Sequence, residues 1–583
     1  MLEPHYRWIF PSPVEIAPDV VDEAARLGIS RRTAEVLARR GVADGAALRA
    51  FFAPPAAALN DPASLPDADL MRERVARARR DGEGILVFGD FDADGLSGLA
   101  TLTLALRFLG LRVEPYVPSR LEEGHGLSLL AVDVAAELGL SVIVTVDCGS
   151  TSGPEIGAAA ARGIDVLVTD HHRLPPVLPA AVAVVNPHRV DSRYPDDRLS
   201  GSGVAFVVAR LLLADEPGGP EFALTLAESA VIGTVSDIAP ILGENRAIAR
   251  LGLERMRTAP RPGIAALLAR AGIARGDVDL ETVAFSLAPR LNAAGRVGDP
   301  LDAARLLLTE DPDEAAALAE GLESTNLVRR ELTAVAVDEA RRAVGTLPEG
   351  PLVMVRGPWP VGVIGLVAAR LAEEHGRPAI VGAELGHVVR ASCRTSGEFD
   401  LAAALESSTD LLLQHGGHAG AAGFEVEATR WDELAARLRG LAVDAGTTVV
   451  GPELRLDLAL PAGDVDYPLL RELASLEPTG NGNPAPLVGV LGTTVSRVRA
   501  AKGGHTQLTL RRERDVVDAI AFDRADLTDT VAEGDRIDVV ATLASRTFGG
   551  FESLQLEILD VATSGSHDEA AEILGLALAG AAR

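Results

Sequence analysis

The chain has 583 residues, 47% hydrophobic and 24% charged, with a formal net charge of −28. That length predicts two to four domains with ample core, and the acidic balance argues against a generally basic protein that coats nucleic acid. Two distant cysteines, Cys148 and Cys393, make neither a disulfide framework nor a zinc ribbon, which fits a reducing cytoplasm.

The N-terminus MLEPHYRWIF lacks the basic and apolar regions of a secretory leader, and no apolar run approaches the ~20 residues of a membrane span. Residues 1–75 read as a small helical lead-in, with SRRTAEVLARRGV an amphipathic helix capped by Ser30. From about residue 80 short apolar, β-branched runs alternate with helices: GILVFGD, LSVIVTVDCGS, IDVLVTDHH and AVAVVNPH. That alternation predicts a parallel sheet covered on both faces. Residues 241–345 read as a helical connector ending in the charged STNLVRRELTAVAVDEARRAV, and 346–448 as a second α/β unit. Beyond it, TQLTLRR, VVDAIAF, RIDVVATLAS and ESLQLEILDV are short strands between turns, so 449–565 is expected to close into a small barrel. Residues 566–583 remain as an Ala-rich tail, and no internal repeat is evident.

Three of the predicted strands end in acids. The first is followed by Asp90, Asp92 and Asp94, the second by Asp147, and the third by Asp170-His171-His172. In an open parallel sheet the carboxyl ends of strands share one edge, where ligands bind, so these residues are expected to converge. Asp237, in GTVSDIAP, follows an apolar helical run and is expected at the same edge. The Asp-x-Asp-x-Asp-Gly run is not a calcium loop, because Thr101 stands where the bidentate Glu is required. Clustered carboxylates need a cation among them. Oxygen-rich donors with imidazole suit Mn²⁺ or Mg²⁺ better than structural zinc, and bridging carboxylates permit two ions ~3.5–4 Å apart, an arrangement that cleaves phosphoesters.

In order, GDFDADG, VDCG, DHH and GTVSDIAP resemble the four motifs of the DHH phosphoesterases, and QHGGHAGAAGF resembles the motif of the associated DHHA1 domain. LSGSGVAF, APRLNAAGRVGDP and LEPTGNGNPAP are similar to the RecJ branch of that superfamily, single-strand-specific exonucleases. The resemblance implies an α/β multidomain enzyme: a DHH catalytic domain over 76–240, a helical connector, a DHHA1 domain and an OB-like nucleic-acid-binding barrel. It further implies metal-dependent removal of 5′-nucleotides from single-stranded DNA, 5′ to 3′, in recombination and repair. By that resemblance Asp94, Asp147, His171 and Asp237 hold one ion. Asp92 and Asp147 hold a second, Asp90 supports it, Asp170 orients an imidazole and His172 lies beside the scissile phosphate. Phe88 stands where related phosphatases often have a His, which implies a poorer set of ligands for the second ion. Trp359-Pro360-Val361-Gly362 replaces a Trp-His-Pro-Gly run, and Thr479 stands where an aromatic is frequent.

For DNA, Gly416, Gly417 and His418 offer amides and an imidazole to phosphate oxygens, and Arg296 and Arg394 are candidate clamps. In the barrel, Arg497, Arg499 and Arg511 are expected on a groove wall, with Phe548 and Phe551 the best stacking side chains. A helicase and a single-strand-binding protein are the expected partners of a monomer that touches no membrane. The rival readings are a DHH enzyme acting on short oligonucleotides or cyclic dinucleotides, and a catalytically silent DNA-binding scaffold.

Overall fold

The computed structural model describes residues 2–120, 122–345, 350–395, 397–446, 453–548 and 551–567. In the strand Gly84–Gly89 every residue is buried, and successive side chains enter different cores. Ile85 and Val87 point into one, Leu86 and Phe88 into the other, as the two-residue period of a strand requires. A strand with apolar groups on both faces must lie inside a covered sheet. It does: five parallel strands run in the order Arg112–Tyr116, Gly84–Gly89, Val142–Val146, Asp165–Thr169, Ala183–Val185.

One face of this sheet is covered by the helices Ala68–Asp81, Ala93–Phe108 and Gly201–Leu213, with Ala227–Ser236 packed behind the last two, and the other by Leu129–Glu137 and Gly153–Ala161. Ala93–Phe108 is buried on every side over its first fourteen residues, which explains its nearly unbroken apolar sequence. Helices then dominate as far as the 33-residue helix Pro312–Val344, whose start is capped by the Asp311 carboxylate accepting from Asp313 N at 2.9 Å.

A second sheet follows, in the order Leu412–Gly417, Ala421–Glu427, Val388–Arg394, Ala379–Leu385, Val353–Gly357. Only its last pair is parallel. By packing, the described residues within Pro54–Val450 form one unit, and those within Met1–Ala53 and Gly451–Arg583 another. The residues expected as a lead-in, 1–75, are thus shared between the two.

In the second of these units, five strands close a barrel: Val488–Ala501, His505–Arg512, Asp515–Ala521, Phe551–Thr563 and Arg536–Phe548, the last pairing back onto the first. Closure removes the exposed edges that an open sheet of this size would carry. Trp8 anchors the chain's start here, its Nε1 donating to the buried Asp560 carboxylate at 2.8 Å. Ser30 caps Arg31–Arg39 as expected, its Oγ accepting from Thr33 N at 3.1 Å. The tail beyond 567 lies outside the described residues. Among those described, no helix is long and apolar enough to cross a membrane.

Candidate metal centre

Strand register decides where the acids go. Gly89 lies opposite Val146, and Val146 opposite Thr169, so the residues that follow them emerge side by side at one edge. The ladder continues one step further: Asp90 N donates to Val146 O, Asp147 N to Thr169 O at 3.0 Å, and Asp170 N to Val185 O at 3.0 Å. There the backbone turns, and Asp147 adopts φ 61°, a conformation that non-glycine residues seldom hold without functional cause.

Two of the carboxylates are held from behind by backbone amides. Asp94 accepts from Gly201 N at 2.7 Å and Ser202 N at 2.8 Å, so it sits on the positive end of the helix Gly201–Leu213. Asp92 caps its own helix, Oδ1 accepting from Asp94 N and Gly95 N. Asp237 follows the last turn of Ala227–Ser236. Two glycines permit this crowding: a Cβ on Gly201 would stand 2.5 Å from the Asp147 carboxylate, and one on Gly233 2.2 Å from Asp94 Oδ1. In the LSGSGVAF motif Gly201 therefore makes room for Asp147 and, with Ser202, offers an amide to Asp94, while the room for Asp94 itself comes from Gly233 in GTVSDIAP.

The edge brings together Asp94, His171 and Asp237 as one set of potential ligands, and Asp90, Asp92 and Asp147 as another. Asp147 also groups with His171 and His172. Among the described residues no arginine or lysine pairs with Asp92, Asp94, Asp147 or Asp237. Three buried atoms in the cluster, Asp90 Oδ1, Asp147 Oδ1 and His171 Nε2, make no hydrogen bond. Asp147 Oδ1 and His171 Nε2 nevertheless lie 3.1 Å apart. Buried polar atoms are almost always satisfied. Unsatisfied donor atoms converging from different elements fit a divalent cation that completes them, and two ligand sets sharing one edge fit two.

Electrostatics agree. Burial and the neighbouring Asp94 and Asp92 push the Asp147 carboxyl well above its usual range. Burial and Asp94 raise Asp237 to about 7, and burial with Asp90 raises Asp92 to about 6. Carboxylates so crowded ionise fully only beside positive charge. Asp170 behaves in the opposite way. Burial opposes its charge, but the His172 imidazole holds it well below the usual carboxylate range. The same contact, Nδ1 to Asp170 Oδ1 at 2.8 Å, raises His172 to about 9.

Beside this centre lie groups suited to phosphate. Gly416 and Gly417 end the strand Leu412–Gly417 and, with His418, form an exposed turn. Gly417 has φ 133°, and a side chain there would meet Ala421 O at 2.5 Å. The His418 ring stacks over His172 with centroids 6.3 Å apart. Arg394 ends the neighbouring strand, opposite Ala421. Arg296 donates to Gly362 O at 3.1 Å, and burial among Arg120, Arg329 and Arg394 lowers it to about 10, so it stays charged at neutral pH.

Three residues near the centre were not singled out from the sequence. His125 Nδ1 stands 3.0 Å from Asp90 Oδ2, so an imidazole reaches this side of the cluster although Phe88 is a core residue stacked on Tyr116. Arg120 lies over the Phe91 ring at 5.0 Å. Asn292 Oδ1 accepts from Ala93 N at 2.8 Å, tying the helix Ala288–Val297 to the acidic turn. The first two come from a loop without periodicity. Asn292 lies inside the quoted APRLNAAGRVGDP, where its role had no local signal.

In the barrel unit, Arg497 and Arg499 line a polar cavity of about 100 Å³ with Gln507, Thr509, Ser553 and Gln555. Arg511 is two residues from Thr509 on the same strand and so shares that outer face. The side chains of Phe548 and Phe551 lie outside the described residues. Cys148 is buried, and its thiol is pushed well up by burial, so it is no thiolate nucleophile.

Comparison with known proteins adds to this geometry. Residues 84–234 match the DHH family N-terminal domain, 350–444 the DHHA1 domain and 456–560 the RecJ OB domain. The chain is 33% identical over 572 residues to the single-stranded-DNA-specific exonuclease RecJ of Bacillus subtilis, covering 97% of this chain and 72% of that one. It is 35% identical over 439 residues to the protein of the same description from Escherichia coli, covering 71% and 76%. A crystal structure of RecJ in complex with Mn²⁺ from Thermus thermophilus superposes with a TM-score of 0.81 at 30% identity, covering 96% of this chain and 80% of that one. The Mg²⁺ complex from the same organism superposes with a TM-score of 0.74 at 29% identity, covering 96% and 79%.

Proposed function

The chain belongs to the RecJ family of single-stranded-DNA-specific exonucleases, and from that premise we propose that it hydrolyses single-stranded DNA from the 5′ end, releasing 5′-mononucleotides, with Mn²⁺ or Mg²⁺ as its cofactor. The observation that carries the chemistry is the pair Asp147 Oδ1 and His171 Nε2, buried, 3.1 Å apart and without hydrogen bonds, within two adjoining sets of acids. A silent scaffold has no use for such a costly, uncompensated cluster.

Asp94, His171, Asp237 and Asp147 would hold one ion, and Asp90, Asp92 and Asp147 the other, with Asp147 common to both. When bound, the ions would supply an activated water and stabilise charge on the attacking and departing oxygens. The chain's own groups do the rest. Asp170 fixes the His172 ring in one orientation and keeps it protonated near neutrality, so that it presents a cationic N–H beside the reacting phosphate. His418, stacked on that ring, and the Gly416–Gly417 amides face the same phosphate. Arg296, Arg394 and Arg120 gather positive charge where a 5′-terminal phosphate would end.

In this reading residues 76–240 carry the hydrolysis and 346–448 the substrate's phosphates. The barrel over 449–565 takes the strand on the face of Arg497, Arg499 and Arg511, with Phe548 as a stacking partner. The enzyme acts as a monomer in the cytoplasm. A helicase would supply its unwound strand, and a single-strand-binding protein would share it. The test is a time course on a long single strand labelled at its 5′ end. Labelled mononucleotide should appear at once with Mn²⁺ or Mg²⁺ and not with chelator. Consumption of di- to pentanucleotides while the long strand survives would overturn the reading.

A further inference from the structure

The segment before the helix Ala288–Val297 carries an exposed aromatic ring that nothing above uses. Val283–Leu287 is a single π-helical turn running directly into that helix. Such turns are rare and concentrate at functional sites. Val283, Leu287, Leu291 and Ala294 are buried and form the inner face. Phe285 is turned away from it and is 78% exposed, the most exposed phenylalanine among the described residues. Among the described residues no ring or guanidinium lies against it. Leaving a phenyl ring in water forgoes the energy of burying it, so the exposure asks for an occupant.

The helix face says which occupant. Positions 7 and 11 residues beyond Phe285 fall on its own side of a helix, and these are Asn292 and Arg296. Asn292 is tied to Ala93 N in the acidic turn, and Arg296 lies among the arginines beside Asp92. The same face therefore leads from the exposed ring to the centre of hydrolysis, over about 10 Å to Asn292 and about 16 Å to Arg296 at the rise of a helix. At about 3.4 Å per stacked nucleotide, that span is roughly three to five nucleotides. The neighbours Ala284 and Ser286 are small, so this is a single ring and not the wide apolar patch that a protein partner needs.

We propose that Phe285 stacks on a base of the bound single strand about three to five nucleotides from the scissile bond, setting the strand's register in the active site. The inference rests on the single-strand reading above. Aromatic stacking suits an enzyme indifferent to sequence, because every base has a π-face, and losing one such platform weakens binding about tenfold.

The test is an abasic scan. A 3′-labelled oligonucleotide carries one abasic residue at each of its first eight positions in turn. Binding is followed by fluorescence anisotropy with Mn²⁺, in the full chain carrying Asp147→Asn to suppress hydrolysis. With Phe285 present, one position among the fourth to sixth should cost about tenfold in Kd. Phe285→Ala should cost about the same on the intact strand and lose nothing more at that position, while Phe285→Trp restores both affinity and the positional effect. Equal, additive losses at every position, or no loss on the intact strand, would overturn the proposal. So would concentration-dependent self-association that Phe285→Ala abolishes. If the unsubstituted enzyme binds the strand but does not hydrolyse it, the nuclease reading fails while the scan still decides the stacking.

Discussion

His172 and His171 are adjacent in sequence and do different work because of what each touches. His171 Nε2 faces Asp147 and Asp94 with no hydrogen bond of its own, as a ligand atom would. His172 gives its Nδ1 to Asp170, and this contact raises it to about 9 despite burial. His172→Gln should therefore lower turnover about 10²-fold, the usual size of a lost general acid, while leaving the rise in melting temperature on adding Mn²⁺ unchanged. The decline in rate above pH 9 should vanish with it. A lost Mn²⁺ shift would instead make His172 a ligand. At this scale Asp90, Asp147 and Asp170 were legible because each follows an apolar run of strand type, so sheet register placed them, whereas Asp237 follows an apolar helical run. His125, Arg120 and Asn292 were not, because contacts made by a loop or across 199 positions, as for Asn292 and Ala93, leave no periodicity to read.

Elements show the same division. Four of the five parallel strands and the barrel were legible from short β-branched runs, since a strand buried on both faces needs an unbroken apolar sequence, whereas the half-exposed edge strand Arg112–Tyr116 lacks one. The π-helical turn at Val283–Leu287 was not, because inserting one residue in a helix changes geometry without changing composition. Nor was the pairing of Arg7–Ile9 with Glu453–Arg455, two three-residue strands whose partners Arg7 and Glu453 lie 446 positions apart. The barrel's basic face yields a prediction of its own. Arg497 and Arg499 lie opposite Thr509 and Gln507 across one strand pair, and the alternation of the sheet puts Arg511 on the same side. If each neutralises one phosphate, changing all three to Gln should reduce the slope of log Kd against log salt by about 2, from ~0.7 per contact on single strands. An unchanged slope measured by anisotropy would move the strand to another face.

For the molecule as a whole, the acidic centre should govern how stability depends on pH and metal. Without a cation, Asp92 at about 6, Asp237 at about 7 and Asp147, pushed well above its usual range, are protonated in the folded chain where the unfolded chain, near 3.8, is already ionised. The folded state then binds more protons between about pH 4 and 7, so this contribution to stability falls as pH rises. A divalent cation reverses it, because binding needs those carboxylates ionised and releases their protons. The rise in melting temperature produced by Mn²⁺ over chelator should thus be small at pH 5.5 and grow toward pH 8, where a concentration 100-fold above Kd stabilises by about 2.7 kcal/mol. Asp147→Asn should flatten both trends, since it removes a carboxylate from the centre and a raised proton affinity with it. The difference between the Mn²⁺ and chelator melting curves isolates the centre from the many other carboxylates of a chain with net charge −28, which titrate alike in both. A shift of equal size at both pH values would mean that the cation binds groups already ionised at pH 5.5, and the buried cluster would then not be its site.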